Sequence, residues 1–270
     1  MFLNINDIID LIIYYKELGL IMRNNENVTV TFDSNVWENI VDPDKRCGIY
    51  LDLFELVESR KITPLFFAGL AIFETIPKNL RKDYIANYKM PYEWDDGIVK
   101  IKKNGTKPYQ LSEYHNRHLR AAFDMGFKFI DLPRIGVTTI PAEYMSNLEL
   151  YPLGERLERA FKCGRFIENE LQAGYQNFKN LLDLKSGEHI CQKSKDNDDI
   201  TDKKYAAGVA EWMDGDSLAA HYGYGIDYYC TNDKGKGAGS SSIFHSNNRE
   251  KLKERFNIEI IEPSELLQSL

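Results

Sequence analysis

Five acidic side chains carry the chemistry this chain offers: Asp33, Glu74, Asp214, Asp216 and Asp233. They come from four separated segments, TFDSNVW, LAIFETI, WMDGDSLAAHYG and YYCTNDKGKG. Carboxylates held within a few ångströms repel, and keeping several ionised together is costly. A divalent cation removes that cost. An all-oxygen set suits magnesium or manganese, which keep several waters and take one or two direct carboxylates per ion. One or two such ions can activate a water and stabilise the leaving oxygen of a phosphodiester. Asp33 and Asp233 are expected as direct ligands, and Asp216 and Glu74 as ligands directly or through water. Asp214 is either a fifth acid or the N-cap of a helix that opens there. Ser34 and Asn35 either hydrogen-bond an acid or a metal-bound water, or simply fill a turn and helix start.

Something must bring these segments together. VTVTF (28–32) is a short β-branched run suited to a buried parallel strand, and Asp33 ends it. Residues 47–59 read as a helix, and 62–76 as a second strand leading into a helix that carries Glu74. The C-terminal third repeats the rhythm, with a helix over 202–222, a strand over 226–231, a charged helix over 249–256, a strand over 258–261 and a last helix opened by Pro263. Alternation of this kind gives an α/β sheet whose functional edge is the carboxyl ends of its strands.

The remainder organises around that sheet. Residues 5–20 space their isoleucines helically and are expected to pack on the body within an N-terminal unit, 1–27. Residues 85–200 read as a mainly helical insertion between the catalytic segments 28–84 and 201–270. It contains a hairpin or loop excursion turning at Asn104-Gly105, a helix beginning near Ser112, a long helix over 154–184 and a polar linker over 186–202.

A resemblance follows from Asp33-Ser34-Asn35 after the first strand, Glu74 on an early helix, Asp216-Ser217-Leu218-Ala219-Ala220, and Thr231-Asn232-Asp233 after a later strand. In that order they resemble the PIN domain, the family of VapC-like toxin nucleases and other prokaryotic RNA-cutting domains. The likeness spans roughly 28–80 and 205–268, and the chain departs from the family in its length. It implies a three-layer α/β/α PIN-like fold with a central parallel sheet. It also implies a Mg²⁺- or Mn²⁺-dependent endoribonuclease whose catalytic residues are Asp33, Glu74, Asp216 and Asp233. Thr231 and Asn232 would support them beside Ser34 and Asn35. The role implied is a toxin or defence effector, or RNA processing, with a neutralising antitoxin or other partner protein.

Charge gives this no general help. The net charge is −7, whereas a protein held on phosphates by charge alone is basic. Local basic surface is therefore sought. Lys234 and Lys236 sit in the Gly/Ser loop after Asp233, and six basic residues against one acidic lie between Lys100 and Arg120. Lys102, Lys103, Arg117 and Arg120 are the candidate nucleic-acid contacts there, unless that face is only solvated. His115 and His118 stand one helical turn apart without an evident third ligand. The four cysteines form no CxxC pair and read as isolated buried thiols. No leader and no membrane span are expected, so the chain reads as cytoplasmic, with a homodimer possible through the 154–184 helix. Two alternatives stay open: a PIN-like protein-interaction module without catalysis, and a phosphatase-like hydrolase with an aspartyl nucleophile at Asp33.

Overall fold

The computed structural model describes residues 27–89, 92–95, 98–101, 105, 110–132, 142–148, 150–197, 199–235, 239 and 242–270. The N-terminal helix expected over 5–20 lies outside them, as do Asn104 of the expected turn and Lys102, Lys103 and Lys236.

The chain is α/β, with a five-stranded, all-parallel central sheet. Its strands are β1 (Val28–Phe32), β2 (Ile62–Phe67), β5 (Lys128–Ile130), β6 (Tyr228–Cys230) and β7 (Glu259–Ile261), in the order β5-β2-β1-β6-β7. A separate antiparallel hairpin joins β3 (Tyr92–Asp95) to β4 (Ile98–Ile101). It pairs Asp95 with Ile98, so this hairpin closes earlier than the predicted Asn104-Gly105 turn.

Alternation along the strands builds a core on each face of the sheet. Val30, Phe32, Phe66, Phe129 and Cys230 face one core. It is completed by α1 (Ser34–Val41), α2 (Ile49–Glu58), α5 (Glu113–Asp124) and α11 (Pro263–Ser269). Leu65, Phe67, Ile130 and Tyr229 face the other core. There the sheet meets α6 (Leu153–Asn169), α7 (Tyr175–Leu181), α9 (Asp202–Tyr224) and α10 (Ser246–Phe256). The result is consistent with three layers, α/β/α.

Part of the stretch read as an insertion thus belongs to the central sheet. Lys128–Ile130 form an edge strand paired with β2, and α5 buries Leu119 and Ala122 in the first core. The polar linker contains α8 (Ile190–Asp196), which packs on α4 (Arg81–Ala86). The single helix expected over 154–184 is two, α6 and α7. The chain turns between them with Gln172 at φ 52° and Gly174 at φ 61°. Gly174 meets Gly215 of α9 almost backbone to backbone: a Cβ on Gly215 would lie 3.0 Å from the Gly174 Cα. Gly215→Leu is therefore expected to lower stability by about 1–3 kcal/mol, read by urea unfolding. An unchanged midpoint would show that the crossing has slack.

Helix α9 organises the second layer. Thr201 caps its start and Gly225, left-handed at φ 70°, ends it. It is buried around most of its circumference, as a helix inside a fold must be. Asp214 and Asp216 therefore lie mid-helix, not at a helix start, and Asp214 is no N-cap. Among the described residues no helix is long and apolar enough to cross a membrane.

Candidate metal centre at the carboxyl edge of the sheet

The strand order reverses between β1 and β6, since β1 pairs with β2 on one side and with β6 on the other. Such a switch point leaves a crevice beyond the carboxyl ends of the two strands, where open α/β sheets bind ligands. Asp33 follows β1 directly, and Thr231 to Asp233 follow β6.

Asp33 is 3% exposed and fixed from three directions. The Ser34 amide donates to its Oδ1 at 2.7 Å, and Asn35 Nδ2 and Thr231 Oγ1 donate to its Oδ2 at 2.7 and 2.6 Å. Asn35 also joins the two strand ends, donating to Thr231 Oγ1 at 3.2 Å and accepting from the Asn232 amide at 2.9 Å. Of the four residues expected to support the acids, Ser34, Asn35 and Thr231 bond Asp33 itself, while Asn232 bonds Asn35 and Tyr50. Burial raises the Asp33 pKa, and the Asp233 carboxylate adds to the rise, against the three donated bonds.

Glu74 lies just beyond α3 (Ala68–Phe73) and is half-buried. Burial, with the charge of Asp33, lifts its pKa to about 8. Its backbone is braced by Arg81, itself 5% exposed. That guanidinium donates to the carbonyls of Ile76 at 3.1 Å, Glu74 at 3.3 Å and Ala206 at 3.4 Å. Asp233 is exposed at the mouth; its Oδ1 accepts from the Gly235 amide at 2.7 Å, and its own amide donates to Thr231 Oγ1 at 3.0 Å.

Helix α9 presents Asp214, and Asp216 is directed elsewhere. Asp214, Ser217 and His221 share one face by their three- and four-residue spacing. Ser217 accepts from the β6 Tyr229 hydroxyl at 3.1 Å, and His221 Nδ1 bonds the β1 Thr31 hydroxyl at 3.0 Å, so this face looks at the sheet. Asp214 continues it to the crevice. Its pKa is raised well above the usual value by burial and by Asp33, Glu211, Glu74 and Asp233 together. Asp216, about 200° further round the helix, accepts from Trp212 Nε1 at 3.0 Å. The helical phase thus favours the acid that the sequence left undecided over the one matched to the family motif.

A further acid, Glu211, escaped the sequence reading. It stands one turn before Asp214, and that spacing was the available signal. Its Oε1 accepts from the Ile243 amide at 2.7 Å and the Gly174 amide at 3.4 Å, tying two loops to α9. Burial lifts its pKa to about 7.

The crevice therefore gathers Asp33, Glu74, Asp214 and Asp233 within electrostatic reach, with Glu211 behind. Among the described residues no lysine or arginine forms an ion pair with these carboxylates. Arg81 and Arg249 bond the backbone carbonyls of Glu74 and Asp233, and each also acts on that residue's carboxylate through its charge without reaching ion-pair distance. Nor do any three His, Cys, Asp or Glu side chains among them stand as a ready-made metal-binding group.

Lys234 pairs with Glu262 at 2.8 Å, and Arg117 and Arg120 are exposed on α5. His118 is buried, held by the Tyr114 carbonyl at 2.8 Å and by Asp42 at 3.3 Å, and His115 bonds Ser112 at 2.8 Å. The two histidines thus have separate partners. Three cysteines are buried as expected, but Cys47 is exposed. No protein-family model, no curated protein and no solved structure matches the chain.

Proposed function

We propose that this chain is a divalent-cation-dependent endonuclease that hydrolyses phosphodiester bonds, with RNA favoured over DNA. The observation that carries the reading is the convergence of Asp33, Glu74, Asp214 and Asp233, from four remote segments, on the crevice between β1 and β6. The donor set is all oxygen, and burial and mutual repulsion raise Asp33, Glu74 and Asp214, so keeping them ionised together is costly unless a cation offsets their charge. That fits Mg²⁺ or Mn²⁺, one ion or two.

Such a cation, when bound, supplies an acidified water and neutralises charge on the phosphoryl oxygens. The chain's own residues do the positioning. Asp33 is held in one orientation by Asn35, Thr231 and the Ser34 amide, Arg81 fixes the backbone that carries Glu74, and Asp214 enters from the opposite layer. Asp233, at the solvent side, would meet the incoming strand. An aspartyl-nucleophile hydrolase is less well supported, because Asp33 Oδ2 is already engaged by two donors.

The resemblance to PIN nucleases extends the proposal to a cytoplasmic toxin, defence effector or RNA-processing enzyme, with a neutralising partner protein in the first case. The test incubates the purified protein with total RNA and with single- and double-stranded DNA, in manganese or in EDTA. RNA cleavage in manganese, absent in EDTA and lowered roughly a hundredfold or more in Asp233→Ala, is expected. Equal cleavage by wild type and variant would exclude this site.

A further inference from the structure

The edge of the sheet opposite the acids leaves apolar surface uncovered among the described residues. Val28 opens β1 there, one strand length of about 16 Å from Asp33. A cavity of about 810 Å³ lies at this edge, between α2 and α11. Val28, Leu56, Leu267 and Leu270 line it. The first three are half-buried extensions of the first core, so that core runs out to solvent here. Leu270 is 46% exposed, and Leu51, one turn before Glu55 on α2, is 42% exposed. Asp52, Glu55 and Lys61 add exposed charge to the lining, and none forms an ion pair among the described residues. Asn27 lines the cavity too, and it is where the described chain begins.

We infer that residues 1–26 of this same chain occupy this groove, with the apolar stripe of the helix expected over 5–20 laid against its aliphatic side chains. Ile5, Ile8, Ile9, Ile12 and Ile13 recur at helical spacing, and a groove lined by leucines suits such a face. A helix of that span is about 24 Å long. Residues 21–26 reach at most about 20 Å when extended, and they join the helix to Asn27 in the cavity wall. The connection therefore holds the stripe beside this groove at high effective concentration. The segment carries charge of both signs, Asp7, Asp10, Lys16 and Glu17, as the groove lining does. Docking here completes the first core and leaves the crevice between β1 and β6 open. The segment is then a strap on the body and not a cover over the acids, and the inference stands apart from the endonuclease reading.

Hydrogen–deuterium exchange of the full chain, read by mass spectrometry, tests the docking. Wild-type amides over 8–20 should exchange about tenfold or more slowly than in an unfolded peptide of the same sequence. Ile9→Asp/Ile12→Asp changes only the segment. It should speed exchange over 50–59 and 264–270 about threefold or more, and leave β1 and β2 as in wild type, which shows that the body is folded. Leu270→Asp, at an exposed position in the groove, should speed exchange over 8–20 about threefold or more. Protection over 8–20 should survive dilution by about a hundredfold, because an intramolecular contact does not depend on concentration. An unprotected wild-type segment would overturn the inference, as would a groove whose exchange ignores the Ile9→Asp/Ile12→Asp change or a segment that ignores Leu270→Asp. Protection lost on dilution would place the segment on a second copy of the chain and overturn it as well.

Discussion

Asp214→Asn is expected to lower nucleic-acid cleavage on the order of a thousandfold, whereas Asp216→Ala should leave cleavage by the folded protein within about threefold of wild type. Losing a ligand that holds a catalytic cation is worth about 4 kcal/mol of transition-state stabilisation, which sets the first figure. Asp214 → Asn keeps the shape of the side chain and removes only its charge, in a place where four other carboxylates act on it. Asp216 faces a different environment. It accepts the indole N–H of Trp212, and the Trp212 ring stacks on Phe178 at 5.6 Å between centroids. Truncating it strands a buried donor, so the cost falls on stability, about 1–3 kcal/mol. Single-turnover cleavage below the melting point of both variants, paired with urea unfolding, separates the two effects. The reverse pattern, an inert Asp216→Ala and an active Asp214→Asn, would reject the geometry and restore the motif-based assignment.

That exchange marks where the sequence stops being legible. The motif D-x-x-(I/A)-A selects Asp216 as an acid that opens a helix, but α9 begins at Asp202, as the pattern over 202–222 predicts, and carries both acids in its interior. Once the whole helix is in view, phase alone separates them, because Ser217 and His221 point at the sheet and Asp214 lies on their side. Asp33 was readable for a local reason: a β-branched run ends there and Ser34-Asn35 can bond its carboxylate. Glu74 was expected on an early helix, and it stands one residue past the end of α3. Its brace was not legible, since Arg81 works through three carbonyls, one of them on α9.

The same division runs through the fold. Strands β1, β2, β6 and β7 carry apolar or β-branched runs at the sequence level. Strand β5 has three residues, and its place in the sheet follows from pairing with β2, a tertiary contact no local pattern encodes. The break between α6 and α7 depends on the close approach of Gly174 to Gly215 on another helix. The partnership of His118 with Asp42 joins residues far apart in the chain. Local propensity reports elements, and the contacts that aim a side chain are set elsewhere.

Manganese is expected to raise the melting temperature of wild type at pH 8, and Asp214→Asn should start higher without metal and respond little. A ligand binding only the folded state at a hundredfold excess over its Kd adds about 2.7 kcal/mol, on the order of 5–10 °C for a chain of this size. The metal-free pH dependence follows from the same carboxyls. Burial lifts Glu74 to about 8 and Glu211 to about 7, against 4.5 for an unperturbed glutamate, and Asp33 and Asp214 are raised as well. An acid whose folded pKa exceeds its unfolded one favours folding fully below the unfolded value, and that contribution is lost as pH rises through the folded value. Metal-free wild type should therefore melt several degrees lower at pH 8 than near pH 5. Manganese should flatten the slope by neutralising the charges that cause it. Asp214→Asn removes a carboxylate that accepts no hydrogen bond in the described structure, so it relieves repulsion at no loss of partners. Asp33→Asn is the useful contrast: it would set an amide nitrogen or a weaker acceptor against three donors, and is expected to melt below Asp214→Asn while also losing the manganese shift. If manganese left wild type unmoved, or moved Asp214→Asn as far, the acids would not hold a cation, and a non-catalytic interaction module would become the better reading of the crevice.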